Sequence, residues 1–444
     1  MNRSEASSSF WDVAHSQLDR VEPITARGLV TDLTGLIIEA SGPAVGMGTN
    51  CTIQQGERTI RAQVVGFRKD RILLMPLGEL HGIAPGASVY SRGESVSVFV
   101  SDDLLGRVID PLGNPLDGIP QIAQGQDVPL YRQPPSPLAR ERIAECLDVG
   151  IKAVNSFLTV GKGQRIAIMA GSGVGKSTFL GMIARHSRAD INVIALVGER
   201  GREVREFIEK DVGPEGMKRT VIVVATSDTS ALLRVRAAFY ATSIAEYFRS
   251  QGLDVNLLVD SVTRFCMAQR EIGLAVGEPP STNGYTPSVF AMLPRLMERA
   301  GTRGGRGSIT GFYTVLVEGD DMNEPIADAV RGILDGHIIL SRQLASRGHY
   351  PAIDILSSIS RVMSDIVDKD DIVTARLARR VLADYAEVED LITIGAYKAG
   401  QNPKVDYAVS KIDALREFLM QTPEEKVDRS SGREILNGIF SEGS

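Results

Sequence analysis

The sequence predicts an α/β chain in three parts: an N-terminal antiparallel β-barrel, a central domain on a mainly parallel sheet, and a C-terminal helical domain. Short β-rich runs separated by Gly, Pro, Asn or charged turns occupy residues 24–92, the pattern of a small barrel. Between residues 191 and 259 continuous apolar runs alternate with amphipathic ones, as strands do when helices cover both faces of a parallel sheet. Beyond Asp368 apolar residues recur at helical spacing. The expected boundaries are a terminal segment 1–21, a barrel 22–95, the sheet domain 96–367 and the helical domain 368–444.

A chain of 444 residues, 43% hydrophobic and 23% charged, has material for two or three domains and a large core. The net charge of -6 disfavours a general polyanion binder. Cys51, Cys146 and Cys266 lie far apart without metal-ligand spacing, so neither a disulfide framework nor a zinc site is expected, and the compartment is reducing. The start is polar, and no apolar run approaches the ~18 residues that span a bilayer. These features point to a cytoplasmic protein whose membrane contact, if any, is peripheral.

Residues 1–21 begin Ser-rich, then place Phe10, Trp11, Val13, Ala14, Leu18 and Val21 at roughly helical spacing. Such a stripe either packs on its own protein or docks on a partner, and a helix this short frays until something covers it. In the barrel region, residues 36–40, 59–67 and 71–74 read as strands. Only Phe67 and Tyr90 offer aromatic faces there, too few for a base-stacking surface, so no nucleic-acid partner is expected. Residues 106–118, rich in Gly and Pro, read as a connector laid over a surface. Apolar residues then return at helical spacing between Ile143 and Leu158.

The central stretch is Ala170-Gly171-Ser172-Gly173-Val174-Gly175-Lys176-Ser177-Thr178, preceded by the apolar run Ile166 to Met169 and followed by Phe179 to Ala184. A strand, a glycine-rich turn and a helix start are what a phosphate-cradling loop requires. Gly lets backbone N–H groups converge on an anion, and the helix N-terminus adds its dipole. Lys176 would reach the β- and γ-phosphates, and the Ser177 hydroxyl would ligate magnesium. Ala170 stands where the usual motif begins with Gly. The alternative is a turn that packs a strand on a helix and binds nothing.

Ligands of such sheets bind beyond the carboxyl ends of the strands, where three further groups fall. Asp260 closes the apolar run Val255 to Val259 and either holds magnesium through water or caps the next helix. Glu199 follows the run Ile191 to Val197. It either polarises the water that attacks a γ-phosphate or pairs with Arg200 or Arg202. Asp320, Asp321 and Glu324 lack the spacing of a calcium loop and read as a solvated or ion-paired turn. Gly301 to Gly307 reads as a mobile Arg-Gly loop. Tyr350 to Arg361 is a short extended segment whose spacing reveals no role. Helical stripes follow at 372–385 and 405–420, and a polar tail after Thr422.

AGSGVGKST from Ala170, VGERGREV from Val197, LLVDSVTRF from Leu257 and PAIDILSSIS from Pro351, in this order and separation, resemble the ring ATPases related to the catalytic subunits of rotary ATP synthases. The resemblance covers residues 27–421 and implies a P-loop domain of RecA-like type. Ala170, the blocks Met267 to Gly273, Gly277 to Pro280 and Gly284 to Phe290, and Glu318 to Asp321 are similar to the protein-export branch. That branch comprises the flagellar ATPases and the virulence-type secretion ATPases. Ile394 to Tyr397 followed by Asn402 to Asp406 is closer to the flagellar form.

By this resemblance Glu199 is the water-activating carboxylate, and Arg200 approaches the γ-phosphate within the same subunit. Arg361 is an arginine finger reaching a neighbouring subunit's γ-phosphate, and Tyr350 packs on adenine. Phe418 would line the same pocket, although Thr422-Pro423 departs from the synthase pattern. Non-catalytic synthase subunits carry Gln where Glu199 stands. Lys176, Glu199 and Arg361 on one polypeptide therefore imply a homohexamer with complete sites at every interface. The resemblance further implies ATP and Mg2+ as cofactors, and a cytoplasmic place at the inner-membrane export apparatus. The implied partners are a stator-like regulator on residues 1–21, a central stalk protein, export-gate membrane components and export chaperone–substrate complexes. A nucleotide-gated docking protein with incidental hydrolysis is the competing expectation, as is a virulence-type system.

Overall fold

The computed structural model describes residues 26–80, 82–91, 96–305, 307–317, 319 and 321–441. The expected docking stripe at 1–21 lies outside the described residues, as do Glu318 and Asp320 of the acidic cluster. The chain divides into two compact units. One runs up to Val96 and includes Leu274–Glu278; the other comprises Ser97–Gly273 and Pro279–Ser444.

The first unit holds a closed barrel of six antiparallel strands: β1 (Ala26–Thr34), β2 (Ile37–Ala40), β3 (Asn50–Gln55), β4 (Arg58–Arg68), β5 (Arg71–Pro76) and β6 (Ser88–Ser91), in the order β1-β2-β5-β4-β3-β6. Period-two alternation turns Val30, Ile38, Ile53, Val64, Leu74 and Val89 inward to one core. Gly28 permits a close approach, since a Cβ there would meet the Gly42 carbonyl oxygen at 2.0 Å. Glu39, 7% exposed, is held by Arg68 and Arg71.

In the second unit the strands lie in the order Ile359–Ser360, Gly336–Leu340, Arg165–Ala170, Ser308–Leu316, Asp254–Asp260, Ile191–Glu199, Thr220–Thr226, Val108–Ile109. All neighbours pair in parallel except the first two, and Gly301–Thr302 folds back antiparallel on Ser308–Ile309. The central strands are apolar throughout because both faces are covered; Ile191–Glu199 has eight of its nine residues buried. The helix Ala231–Ser250, capped by the Ser230 hydroxyl on the Leu233 N–H, packs on the strands Ile191–Glu199, Thr220–Thr226 and Asp254–Asp260. The fold is α/β with a barrel, a parallel-sheet domain and a helical C-terminal region.

Four local expectations need correction. Residues 106–118 are more than a connector, because Val108–Ile109 adds an edge strand parallel to Thr220–Thr226 and Arg107 is pinned beneath by Asp117 at 2.7 Å. Of residues 143–158, only Lys152–Phe157 is helical; Cys146–Leu147 instead pairs with Val160–Gly161. Gly301–Thr302, the start of the expected loop, is the first arm of a hairpin, and Arg140 donates to the Ala300 carbonyl beside it at 2.9 Å. The expected polar tail contains the helix Arg429–Ser441. Its Leu436 is buried beside Ile439 and Phe440, and Arg429 and Arg433 pair with Asp371 of the helix Lys369–Ala386. Apolar residues at i, i+3 and i+4 decide that helix despite its Ser and charged neighbours.

Candidate functional site

Gly171 to Gly175 form the turn between the Arg165–Ala170 strand and the helix Lys176–His186. Gly173 and Gly175 take φ of 79° and 87°, the left-handed region that side chains disfavour. Gly171 and Val174 are buried, anchoring the loop, whereas Ser172, Gly173 and Ser177 are exposed. Ala170, fully buried at the strand end, accepts the Val317 N–H at 3.0 Å, so a methyl is tolerated at the first motif position. Thr178 is half-buried and hydrogen-bonds Asp211, whose carboxyl is pushed up by burial. Asp211 belongs to a π-helical stretch, Phe207–Val212, that lies directly against Gly181.

Three predicted charges meet at the carboxyl edge of the sheet. Lys176 Nζ donates to Asp260 Oδ1 and stands 3.4 Å from Glu199 Oε1. The side chains of Lys176, Glu199 and Asp260 are 12%, 15% and 4% exposed. Gly198, at φ 74°, kinks the strand end and shifts its register so that Glu199 turns toward the lysine. Burial pushes the Glu199 carboxyl up to about 7; Lys176 opposes this, while Asp260 and a hydrogen bond with Glu203 add to it. The Lys176 ammonium is held above its usual range because attraction by Asp260 and Glu199 outweighs its burial. Asp260 ends its strand and is bonded to Lys176 and Thr314, while the adjoining Ser261 hydroxyl accepts the Arg264 N–H.

Tyr350 follows the same edge. Its ring, in a residue 45% exposed, lies 3.5 Å from where a side chain at Gly175 would begin, and its carbonyl accepts the Gln421 N–H at 2.9 Å. The Gln421 side chain bonds the Lys152 N–H and the Gly150 and Glu425 carbonyls, fastening the end of the helix Pro403–Leu419 behind the tyrosine. Phe418 is 3% exposed and packs edge-on against Phe157 in the core, so it lines no open pocket.

Two predicted residues stand apart from this cluster. Arg200 is exposed and lies 3.5 Å from Glu203, as Arg202 pairs with Glu206. Arg361 is exposed at the opposite edge of the sheet: Ser360 pairs with Gly336, the first residue of its strand, and the Arg361 N–H donates to the Asp335 carbonyl. Gly336–Leu340 runs parallel to Arg165–Ala170, so a strand of about five residues, at ~3.3 Å each, separates the arginine's edge from the phosphate loop's edge.

No group of three or more His, Cys, Asp or Glu side chains able to hold a metal occurs among the described residues. The Ser177 hydroxyl and the Asp260 carboxylate nonetheless suit magnesium, which takes hard oxygen donors and is commonly held by one or two protein groups plus substrate phosphates and water. Thr314 and Gln421 were not singled out by sequence. A hydroxyl near the end of an apolar strand was the available signal for the first; nothing local marks the second. No helix of the described residues is long and apolar enough to cross a membrane.

Comparison with known proteins places this geometry in a family. Residues 150–360 match the nucleotide-binding domain of the ATP synthase alpha/beta family, residues 30–93 its beta-barrel domain, and residues 367–437 the T3SS EscN ATPase C-terminal domain. The chain is 56% identical over 401 residues to a flagellum-specific ATP synthase of Bacillus subtilis (strain 168), covering 90% of this chain and 91% of the relative. It is 50% identical over 414 residues to a type 3 secretion system ATPase of Xanthomonas euvesicatoria, covering 93% of each. Among solved structures, the assembled ATPase EscN in complex with its central stalk EscO, from the type III secretion system of enteropathogenic E. coli, superposes with a TM-score of 0.86 at 42% identity, covering 93% of this chain and 99% of that one. The chain therefore belongs to the ATP synthase alpha/beta family, in the branch of the flagellum-specific ATP synthases and type III secretion ATPases.

Proposed function

We propose that this chain is a magnesium-dependent ATP hydrolase that energises or primes the export of flagellar proteins through a type III export apparatus. It works as a homohexameric ring with its catalytic sites at the subunit interfaces. One observation carries the reading: Lys176, Glu199 and Asp260 converge at one edge of the parallel sheet while Arg361 stands at the other. An arginine that acts on the γ-phosphate from there belongs to the next copy in the ring.

In the nucleotide-bound site the Gly171 to Thr178 amides and Lys176 offset the phosphate charge, and Tyr350 packs on the adenine. Ser177 and Asp260 would hold magnesium, which when bound would supply positive charge against the phosphates. Glu199, as carboxylate, accepts a hydrogen bond from the attacking water. Glu199 takes the water's proton as the water oxygen bonds the γ-phosphorus and the bond from that phosphorus to the β,γ-bridging oxygen breaks, leaving ADP and phosphate, to which the proton passes. Arg200 and the neighbouring copy's Arg361 stabilise the charge that develops on the transferred group.

A stalk protein threads the ring, a stator-like regulator docks on residues 1–21, and export-gate components and chaperone–substrate complexes engage it at the cytoplasmic face of the inner membrane. The stalk assignment is supported by the EscN–EscO relative. The test mixes Arg361→Ala and Lys176→Ala subunits, each inactive alone. Mixed rings are expected to regain part of the ATPase rate, because some interfaces then hold both intact halves. No recovery at any ratio, with mixed rings demonstrated by mass, overturns the interfacial site.

A further inference from the structure

Thr314 sits, fully buried, in the Ser308–Leu316 strand. That strand alone pairs both with Arg165–Ala170, which feeds the phosphate loop, and with Asp254–Asp260. Thr314 lies opposite Ile168, two residues before that strand ends at Ala170, and its predecessor Tyr313 lies opposite Val259. Valine has the same shape and suits a sheet interior, whereas a hydroxyl buried there costs stability unless it is hydrogen-bonded.

The hydroxyl is bonded. Thr314 Oγ1 stands 2.7 Å from Asp260 Oδ1 and 3.2 Å from the Val259 carbonyl oxygen. It has one proton, and the shorter, charge-assisted contact to the carboxylate takes it. Lys176 donates to the same Oδ1. One oxygen of Asp260 is therefore fixed between two donors. Oδ2 receives no hydrogen bond from the described residues, in a side chain 4% exposed.

We infer that Thr314 is a positioning residue: its hydroxyl locks the Asp260 carboxylate so that Oδ2 is presented to the magnesium of bound Mg-ATP. The inference rests on the proposed magnesium role of Asp260. A rigid strand suits the task, because the donor's position is set by backbone pairing to both functional strands. Partners of this kind typically change metal affinity by ~10- to 100-fold when removed.

The experiment measures binding of a non-hydrolysable ATP analogue to the full chain, with Mg2+ and with EDTA, in wild type, Thr314→Val, Thr314→Ser and Asp260→Asn. The expected result is that Thr314→Val weakens binding about tenfold in Mg2+, leaves binding in EDTA unchanged, and is rescued by Thr314→Ser. Equal weakening in both conditions, or none in either, overturns the inference, as does a serine variant no better than valine. Magnesium-dependent tightening lost in Asp260→Asn but intact in Thr314→Val removes the positioning role alone. Tightening intact in Asp260→Asn removes the magnesium reading beneath it.

Discussion

The two edges of the parallel sheet are built differently. At the carboxyl edge one lysine and two carboxylates are buried against one another, each on a different strand end or helix start. At the amino edge Arg361 is exposed, and its contacts are backbone carbonyls: its own N–H meets Asp335, and its guanidinium meets Arg331 at 3.1 Å. No ion pair of Arg361 occurs among the described residues. A buried charge needs its partner in the same chain, since an uncompensated one costs several kcal/mol. An arginine that must act on another molecule's phosphate is better left without a carboxylate. One edge is organised before ligand arrives; on the function proposed above, the other is completed by assembly.

Four experiments would break or sharpen this contrast. The largest effect is expected from Arg361→Ala, which should lower ATP turnover by ~10³ to 10⁵ while nucleotide affinity and the fold persist, read by steady-state hydrolysis and analogue binding. A comparable loss of affinity would place the arginine within its own chain's site. Glu199→Gln should cost ~10² to 10⁴ in turnover and trap bound ATP, since the amide accepts the water's proton poorly.

The third concerns pH. A carboxyl raised to about 7 acts as a base only when ionised, so kcat/KM should climb with pH through about 7 and then level. Stability runs the other way. The unfolded glutamate ionises near 4.5 but the folded one near 7, so the native state holds more protons between those values and becomes less stable as pH rises across them. Glu199→Gln should flatten that slope, a difference of up to about 3 kcal/mol in urea denaturation. An unchanged slope would mean that the buried cluster does not strain the carboxylate. The smallest effect is at Tyr350. Replacing it by Ala should weaken ATP binding by about 1–3 kcal/mol, as for other aromatic–base stacks, and Tyr350→Phe should be nearly silent.

Much of this architecture was legible in the residues. The Gly173 and Gly175 positions, followed at once by Lys176, announce a phosphate loop because those backbone angles and that helix start have few other uses. The strands Ile191–Glu199 and Asp254–Asp260 were plain from unbroken apolar runs ending in a carboxylate. Val108–Ile109 was hidden because two residues among Gly and Pro carry no periodicity, and its pairing comes from a strand more than a hundred residues away. Arg429–Ser441 was hidden by its Ser, Gly and charged residues, although its buried Leu436 with Ile439 and Phe440 was enough to hold it on the helices beside it.

The sequence by itself determined which chemistries are present: a loop for phosphates, a lysine, two strand-end carboxylates and an arginine of unassigned purpose. Those follow from local rules, since dihedral preference and alternation of apolar residues act over a few neighbours. Only the tertiary structure decided which of them meet. Strand order joined Glu199 and Asp260 through Lys176, slid Thr314 beneath Asp260 and sent Arg361 to the far edge. The reason is that pairing between distant strands is chosen by the packing of the whole sheet, which no local stretch encodes.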